Sequence, residues 1–280
     1  MFPQSFSEEL ARQLWLVPIC GLFVLTEMVL AAKPFDRRAW YFNWSYWPIE
    51  TVSVASLFML AGVVQAWLLP LADAHGLAVH LDMAHPELAL LAWLFFYDFL
   101  YYWTHRLQHT RPLWPVHALH HGDPSLNATT TFREHWLEDV MRLATIYAPL
   151  GFVTLDHPPA GMLLADVGLL YAIAYYPIFL HSNVRVGLGP LNWLLATPQL
   201  HRIHHSVEPR HRDRNFALFF PLLDVAFGTY WHPKRGEYPE TGVDEFAGKP
   251  LGLVSFNLYP FRVWAGALQG WRQARRIGAA

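Results

Sequence analysis

Two stretches of this chain are costly to leave in water. Leu14 to Ala32 is a 19-residue apolar run interrupted only by Thr26 and Glu27, and Thr51 to Leu71 continues for 21 residues without a charge. A hydrocarbon layer about 30 Å thick is crossed by roughly 20 helical residues, so both runs are long enough to span. Inside lipid the backbone must satisfy its own polar groups, and a single run does that as a helix. Across 280 residues, 54% hydrophobic content with 15% charged residues is rich for a soluble fold. The expected fold is all-α: one integral membrane domain over residues 1–280, a polytopic helical bundle of about four to five spans.

Charge sets the expected sidedness. Lys33, Arg37 and Arg38, with Trp40, Tyr41, Trp44, Tyr46 and Trp47, read as a cytoplasmic loop carrying an aromatic belt. Asp73 to Glu87 has three acidic residues and three histidines but no Lys or Arg, so it is placed on the other side. Pro86 suits a first helical position, and Leu88 to Trp103 forms the third expected span. Leu143 to Leu155 is uncharged for only 13 residues, consistent with either a span or a re-entrant arm. Ala160 to Leu180 has the length of a further span, with Asp166 inside it and a kink expected at Pro177. This scheme puts the N-terminus outside and the C-terminus inside. No A-x-A site follows the first run, so no cleaved signal peptide is expected. Phe246 to Arg276 reads as an interfacial helix with Trp264, Trp271, Arg272, Arg275 and Arg276. The lone Cys20 excludes a disulfide framework and a Cys-based metal site. A net charge of −2 gives no argument for nucleic acid.

The chemistry is concentrated in histidines. His105 to His121 packs five of them into 17 residues, as H-R-L-Q-H and H-A-L-H-H, and H-R-I-H-H follows at His201. On a helix, i, i+4 and i, i+3, i+4 spacings share a face. His105 with His109, then His117, His120 and His121, then His201, His204 and His205, therefore form three imidazole stripes. At 16 histidines in 280 residues, H-x-x-H-H arises by chance about 0.05 times, and it occurs twice. Three crossings before the first stripes and two more before the third put all of them on the cytoplasmic side. His181, at the end of the last expected span, joins them as a ninth candidate ligand. One metal rarely takes more than four protein nitrogens, so nine candidates suggest more than one ion.

The remaining histidines and charges have plainer expectations. His75, His80, His85 and His157 fall in outer loops, and His135 and His211 lie on the metal side but off the stripes. Asp98 is seven residues before His105, almost on the same face. An intramembrane carboxylate there needs a partner, either a ligating imidazole that it orients or an arginine. Asn127 and Arg133 follow the second stripe and are further candidates to hydrogen-bond a ligand or a lipid headgroup. Arg202, Arg210, Arg212 and Arg214 read as a positive flank.

Neutral imidazoles around two metals leave room for an exogenous oxygen ligand, and a membrane-surface location gives an apolar substrate entry from lipid. Both point to oxidation of an aliphatic C–H, which needs O2 activated by a redox metal, iron by preference. No flavin, haem-attachment or Cys-rich cluster motif is visible, so a separate electron donor is implied. The competing readings are a zinc hydrolase, which uses about three protein ligands and an acid–base carboxylate, and a metal-binding transporter, which holds ligands at mid-membrane.

These three boxes, with D-F-L-Y-Y-W-T-H-R before the first, P-Q-L-H-R-I-H-H, and Asn215 followed by Phe227-Gly228-Thr229-Tyr230, resemble the fatty acid hydroxylase superfamily, also called the sterol desaturase family. The resemblance covers residues 88–230 as the histidine-box core. It implies a membrane oxygenase whose histidines bind two non-haem irons and that hydroxylates or desaturates sterols, fatty acyl chains, alkylglycerols or related lipids. The chain departs from the family pattern at Gly122, where Ser is frequent, at Leu223-Asp224-Val225-Ala226, and at Thr110. Short loops and no fused cytochrome-type domain lead to an expected bacterial inner-membrane location.

Overall fold

The structure, a computed structural model, describes residues 6–82, 86–156, 175–246 and 252–277. Helix α1 (Phe6–Leu30) and helix α2 (Arg37–Ala74) are long and apolar enough to cross a membrane. Only 17% of the apolar window of each is buried. Trp15, Leu22 and Met28 on α1, and Leu60, Val63 and Trp67 on α2, are instead exposed. A core helix of a soluble protein would bury that surface, and lipid is the medium that accepts it.

At 38 residues, α2 is about 57 Å long and outruns the hydrocarbon by many residues. Asp36 caps it, accepting from the amides of Arg38 and Ala39. The connection from α1 is therefore residues 31–36 alone, and the loop expected to carry the aromatic belt is helix. Tyr46 is fully buried against Phe256, with ring centroids 4.5 Å apart.

Strand β1 (Val79–Asp82) precedes helix α3 (Pro86–Gln108), which ends on His105 and Arg106. Helix α4 (Trp114–His121) and a 3-10 turn (Ala128–Phe132) follow. The chain then turns back as α5 (Trp136–Arg142), runs through a π-helical turn (Leu143–Tyr147) into α6 (Ala148–Leu150), and extends as β2 (Val153–Asp156). β2 pairs in parallel with β1, Val79 opposite Val153 and Leu81 opposite Leu155. Because β1 precedes α3 and Gln108 at the other end of α3 meets Glu138 at the start of α5, the α5–α6 rod runs antiparallel to α3. It spans the same height, from the histidine end to the strand pair. Thus 143–155 is helix to Leu150 and then strand, a strand pair that the apolar pattern did not announce.

The expected span at Ala160–Leu180 lies mostly outside the described residues, as do His85, His157 and Asp166. Residues 175–181 are helical (α7) and deliver His181. Helix α8 (Pro198–His204) opens with Pro198 behind a Thr197 cap whose side chain accepts from Leu200 N. Helices α9 (Leu222–Ala226) and α10 (Leu253–Ile277) complete the described chain. The first half of α10 packs on the histidine-bearing cap, through Phe256 and through a hydrogen bond from Trp264 Nε1 to the Pro112 carbonyl at 2.7 Å. The main core joins α2, α3, α5–α6, α7 and the 216–220 loop through Leu57, Tyr97, Ile146, Leu180, Leu218 and Phe219.

Glu27, the one charge inside the first apolar run, fastens α1 to the cap. Its Oε1 accepts from the amides of Ala128 at 2.8 Å and Asn183 at 2.6 Å. Charge-assisted hydrogen bonds in a buried setting contribute about 1.5–3 kcal/mol each. Glu27→Ala is expected to lower stability by about 3 kcal/mol, read as a drop in the thermal midpoint of the detergent-solubilised protein, with Thr26→Ala on the same turn as the mild control.

Candidate metal centre

All nine imidazoles converge at the cap, in two groups. His105, His109, His117, His121 and His204 form one, and His120, His181, His201 and His205 the other; the donor atoms of each group lie within 4.8 Å of one another. Helical phase explains the division. His117 and His121, one turn apart on α4, join the first group, while His120 points to the second; on α8, His201 and His205 join the second and His204 the first. The groups touch where His121 stacks on His205, ring centroids 4.2 Å apart.

Hydrogen bonds at the outer nitrogens decide which way the lone pairs face. Carbonyl oxygens only accept, so His105 Nδ1 donates to Phe216 O at 2.9 Å, His204 Nδ1 to Arg214 O at 2.8 Å and His181 Nδ1 to Pro177 O at 2.7 Å. Likewise His117 Nδ1 donates to Glu138 Oε2 and His109 Nδ1 to Asp213 Oδ1, each at 3.1 Å. A neutral imidazole has one N–H, so each of these five presents a bare Nε2 to the interior. His105 Nε2 and His117 Nε2 then face each other at 3.1 Å with two lone pairs and no proton between them. His109 Nε2 and His204 Nε2 are buried with no partner at all. In the second group the Nε2 atoms of His120 and His181 approach to 3.0 Å and those of His181 and His201 to 2.9 Å. Opposed lone pairs in a dry interior repel unless a cation lies between them, so this donor set fits a bound metal in both groups.

Burial pushes the pKa of all nine below the ordinary 6.5, and in most of them neighbouring imidazoles add to it. His181 is pushed down to about 4. The neutral form is the ligating form, so the fold holds the site ready for metal at neutral pH.

The orienting residues are not those expected from sequence. Glu138, fully buried, receives His117 Nδ1 and Gln108 Nε2 on one oxygen, the carboxylate–imidazole arrangement that raises ligand basicity. In the sequence it stood only as a charge ahead of the 143–155 run; its i, i+4 spacing to Arg142, which pairs with it at 3.6 Å, was the available signal. Asp213 and Asn215 have φ of +56° and +58°, a left-handed backbone that Asp and Asn tolerate better than most side chains. That turn presents Asp213 to His109 and the Arg214 carbonyl to His204.

Asp98 meets neither an imidazole nor an arginine. Its carboxylate accepts the amides of Leu218, Phe219 and Phe220 at 2.6–3.0 Å, holding the loop whose Phe216 carbonyl orients His105. Asn127 caps the 3-10 turn by accepting from Thr129 N and touches no imidazole of either group. Arg133 donates to the carbonyls of Leu119 and Gly122, closing the C-terminal end of α4, and lies against Phe42. Arg202 is not part of an exposed flank: it is buried, bonded to the Pro239 carbonyl and stacked on Tyr238. His135 and His211 are buried away from both groups, His135 capping α5 and His211 between Ser206 and Glu237. Gly122 has a steric reason, because a Cβ there would stand 2.5 Å from the Phe246 ring.

Residues 90–229, half of the chain, match the family model for fatty acid hydroxylase. The chain belongs to the fatty acid hydroxylase family. Within it, the chain is 34% identical over 142 residues to an alkylglycerol monooxygenase of Xenopus tropicalis, covering 49% of this chain and 30% of the relative. It is 31% identical over 168 residues to an ornithine lipid hydroxylase of Rhizobium tropici, covering 59% and 47%. A very-long-chain aldehyde decarbonylase of Oryza sativa is 28% identical over 163 residues, covering 55% and 25%. The chain spans less than half the length of these curated relatives. No solved structure matches it.

Two outcomes test the centre. Glu138→Ala is expected to weaken metal affinity about 10–100-fold with helix content unchanged, measured by competition with a chelator. The histidines' pKa values are depressed by folding, so their contribution is complete above the unfolded value near 6.5. It is lost as pH falls toward about 4, the window set by His181. Metal content of protein equilibrated across that range is expected to fall monotonically with acid.

Proposed function

We propose that the chain is a membrane-bound non-haem di-iron oxygenase that hydroxylates an aliphatic C–H of a membrane lipid, using O2 and electrons from a separate donor. The observation that carries this reading is the pair of adjoining all-imidazole groups, five and four nitrogens, at the ends of membrane-length helices. His105, His109, His117, His121 and His204 would hold one iron, and His120, His181, His201 and His205 the other. Bound there, iron would supply the O2 activation that side-chain acid–base chemistry lacks for an unactivated methylene. Glu138, Asp213 and the carbonyls of Phe216, Arg214 and Pro177 keep the imidazoles in one tautomer and orientation. Burial of the whole set keeps bulk water from the reacting atoms. A zinc hydrolase would aim a carboxylate at the metal, whereas Glu138 faces the outer nitrogen of His117.

Relatives named for alkylglycerols and ornithine lipids support a lipid substrate, with hydroxylation favoured over desaturation. Four to five crossings, with α3 and the α5–α6 rod among them, complete the proposed bundle. They put the cap at the cytoplasmic face of a bacterial inner membrane.

Metal analysis after anaerobic iron loading is expected to return two ions per chain. Lipid mass spectrometry of aerobic cells is expected to show, with the wild-type chain, a lipid heavier by one oxygen atom that disappears in His120→Ala. A lipid lighter by two hydrogens would assign desaturation instead, and identical profiles with a competent donor present would remove the oxygenase reading. For sidedness, an impermeant thiol reagent on intact cells is expected to label His75→Cys and spare Arg212→Cys.

A further inference from the structure

The connection between α7 and α8 carries a feature that the metal chemistry does not use. The Asn183 carbonyl accepts from Ala32 N at 2.8 Å, just past the apolar window Gln13–Leu30 of α1, so the chain at 183 sits where that helix leaves hydrocarbon. From there it dips back. The Ala196 carbonyl accepts from the hydroxyl of Tyr176, more than a helical turn before His181, and Ala196 N donates to Phe219 O at 2.8 Å. The segment between exposes Val186, Leu188, Leu191, Trp193, Leu194 and Leu195, each 37–53% accessible. Six exposed apolar side chains beside a spanning helix have lipid for a neighbour, and Trp is the side chain suited to the headgroup boundary.

At the shallow edge of this apron is a cavity of about 480 Å³, closed on its other side by residues 232–238. Arg185, Lys234, Arg235 and His232 line it. Among the described residues none of the three cations has a carboxylate partner. The one carboxylate of the lining, Glu237, is engaged by Arg210, His211, Trp231 Nε1 and the amide of Lys234. Arg185 lies 5.6 Å from the face of Tyr238, which keeps its guanidinium at the rim. Gly189 and Gly236, at φ +56° and +74°, shape the two walls and leave them bare of side chains.

We propose that this cavity binds the phosphate of a membrane lipid headgroup, with the acyl chains lying along Trp193, Leu194 and Leu195. Three unneutralised cations at the height of the lipid phosphates attract an anion, and the volume is that of a small-molecule site. The apron supplies the apolar contact that a soluble anion cannot use. The site stands apart from the imidazole groups and does not depend on what they catalyse.

The test uses the full-length protein in neutral detergent, titrated with short-chain phosphatidylglycerol, short-chain diacylglycerol and inorganic phosphate. Phosphatidylglycerol is expected to bind at least roughly tenfold more tightly than either other probe. The triple variant Arg185→Gln, Lys234→Gln, Arg235→Gln is expected to lose roughly tenfold or more of that affinity. Trp193→Ser is expected to weaken phosphatidylglycerol and leave inorganic phosphate unchanged. Equal lipid affinity in the triple variant, or diacylglycerol binding as tightly as phosphatidylglycerol, overturns the site. Inorganic phosphate binding as tightly as the lipid assigns the cations to a soluble anion and overturns the lipid reading. Unchanged metal content certifies each variant as folded, and Arg185→Gln alone, on an exposed side chain, carries the same test should the triple variant fail to fold.

Discussion

The cap depends on keeping nine imidazoles neutral, dry and aimed inward. Imidazole is ambivalent: either nitrogen can hold the proton, and in water the ring charges near neutral pH. Burial removes the charge, and a fixed acceptor at Nδ1 removes the choice of tautomer for His105, His109, His117, His181 and His204. Those acceptors come from five places: the 216–220 loop, the Asp213 turn, the Arg214 carbonyl, the α5 carboxylate and the α7 backbone. Moving any of them turns a lone pair away from the metal position, so the ligand stripes are only as good as the loops behind them.

Buried carboxylates hold those loops. Asp98 gathers the amides of Leu218 to Phe220, Asp224 those of Phe216 and Ala217 with the Thr229 hydroxyl, and Asp123 gathers Asn43, Thr130 and the Ser125 amide. Each satisfies backbone donors that no helix or sheet satisfies, at a point where unpaired amides would be costly. In the Leu223-Asp224-Val225-Ala226 segment the aspartate is the member with a structural task. Its neighbours Leu222 and Val225 are exposed. The freedom at these neighbours and the constraint on Asp224 share one cause, the amides of the Phe216 loop.

The bundle and the cap are continuous. α2 begins in the cap, with Asn43 on Asp123 and Tyr46 on Phe256, and ends in the apolar window. Ser53, a turn inside that window, still bonds Asp139 of α5. A site built this way is rigid toward the membrane, because the helices that face lipid are the ones that buttress the imidazoles.

Much of this was legible in the chain itself. Length and apolarity decide that α1 and α2 cross lipid, since nothing else accepts such runs, and 3.6-residue periodicity decides that each histidine box is a stripe. Periodicity even implies that His120 and His121, or His204 and His205, point apart, though not toward what. The partition into two groups required α3, α4, α7 and α8 to meet, which is set by packing between residues up to about a hundred positions apart. The orienting partners were illegible for the same reason: a backbone carbonyl such as Phe216 O has no sequence signature, and Glu138 reads as an ordinary charged residue until α5 folds against α3. Asp98 shows the limit most clearly. Its helical phase with His105 is real, but tertiary structure brought three unpaired amides to it first, and hydrogen bonding inside a low-dielectric bundle is decided by which donors arrive unsatisfied.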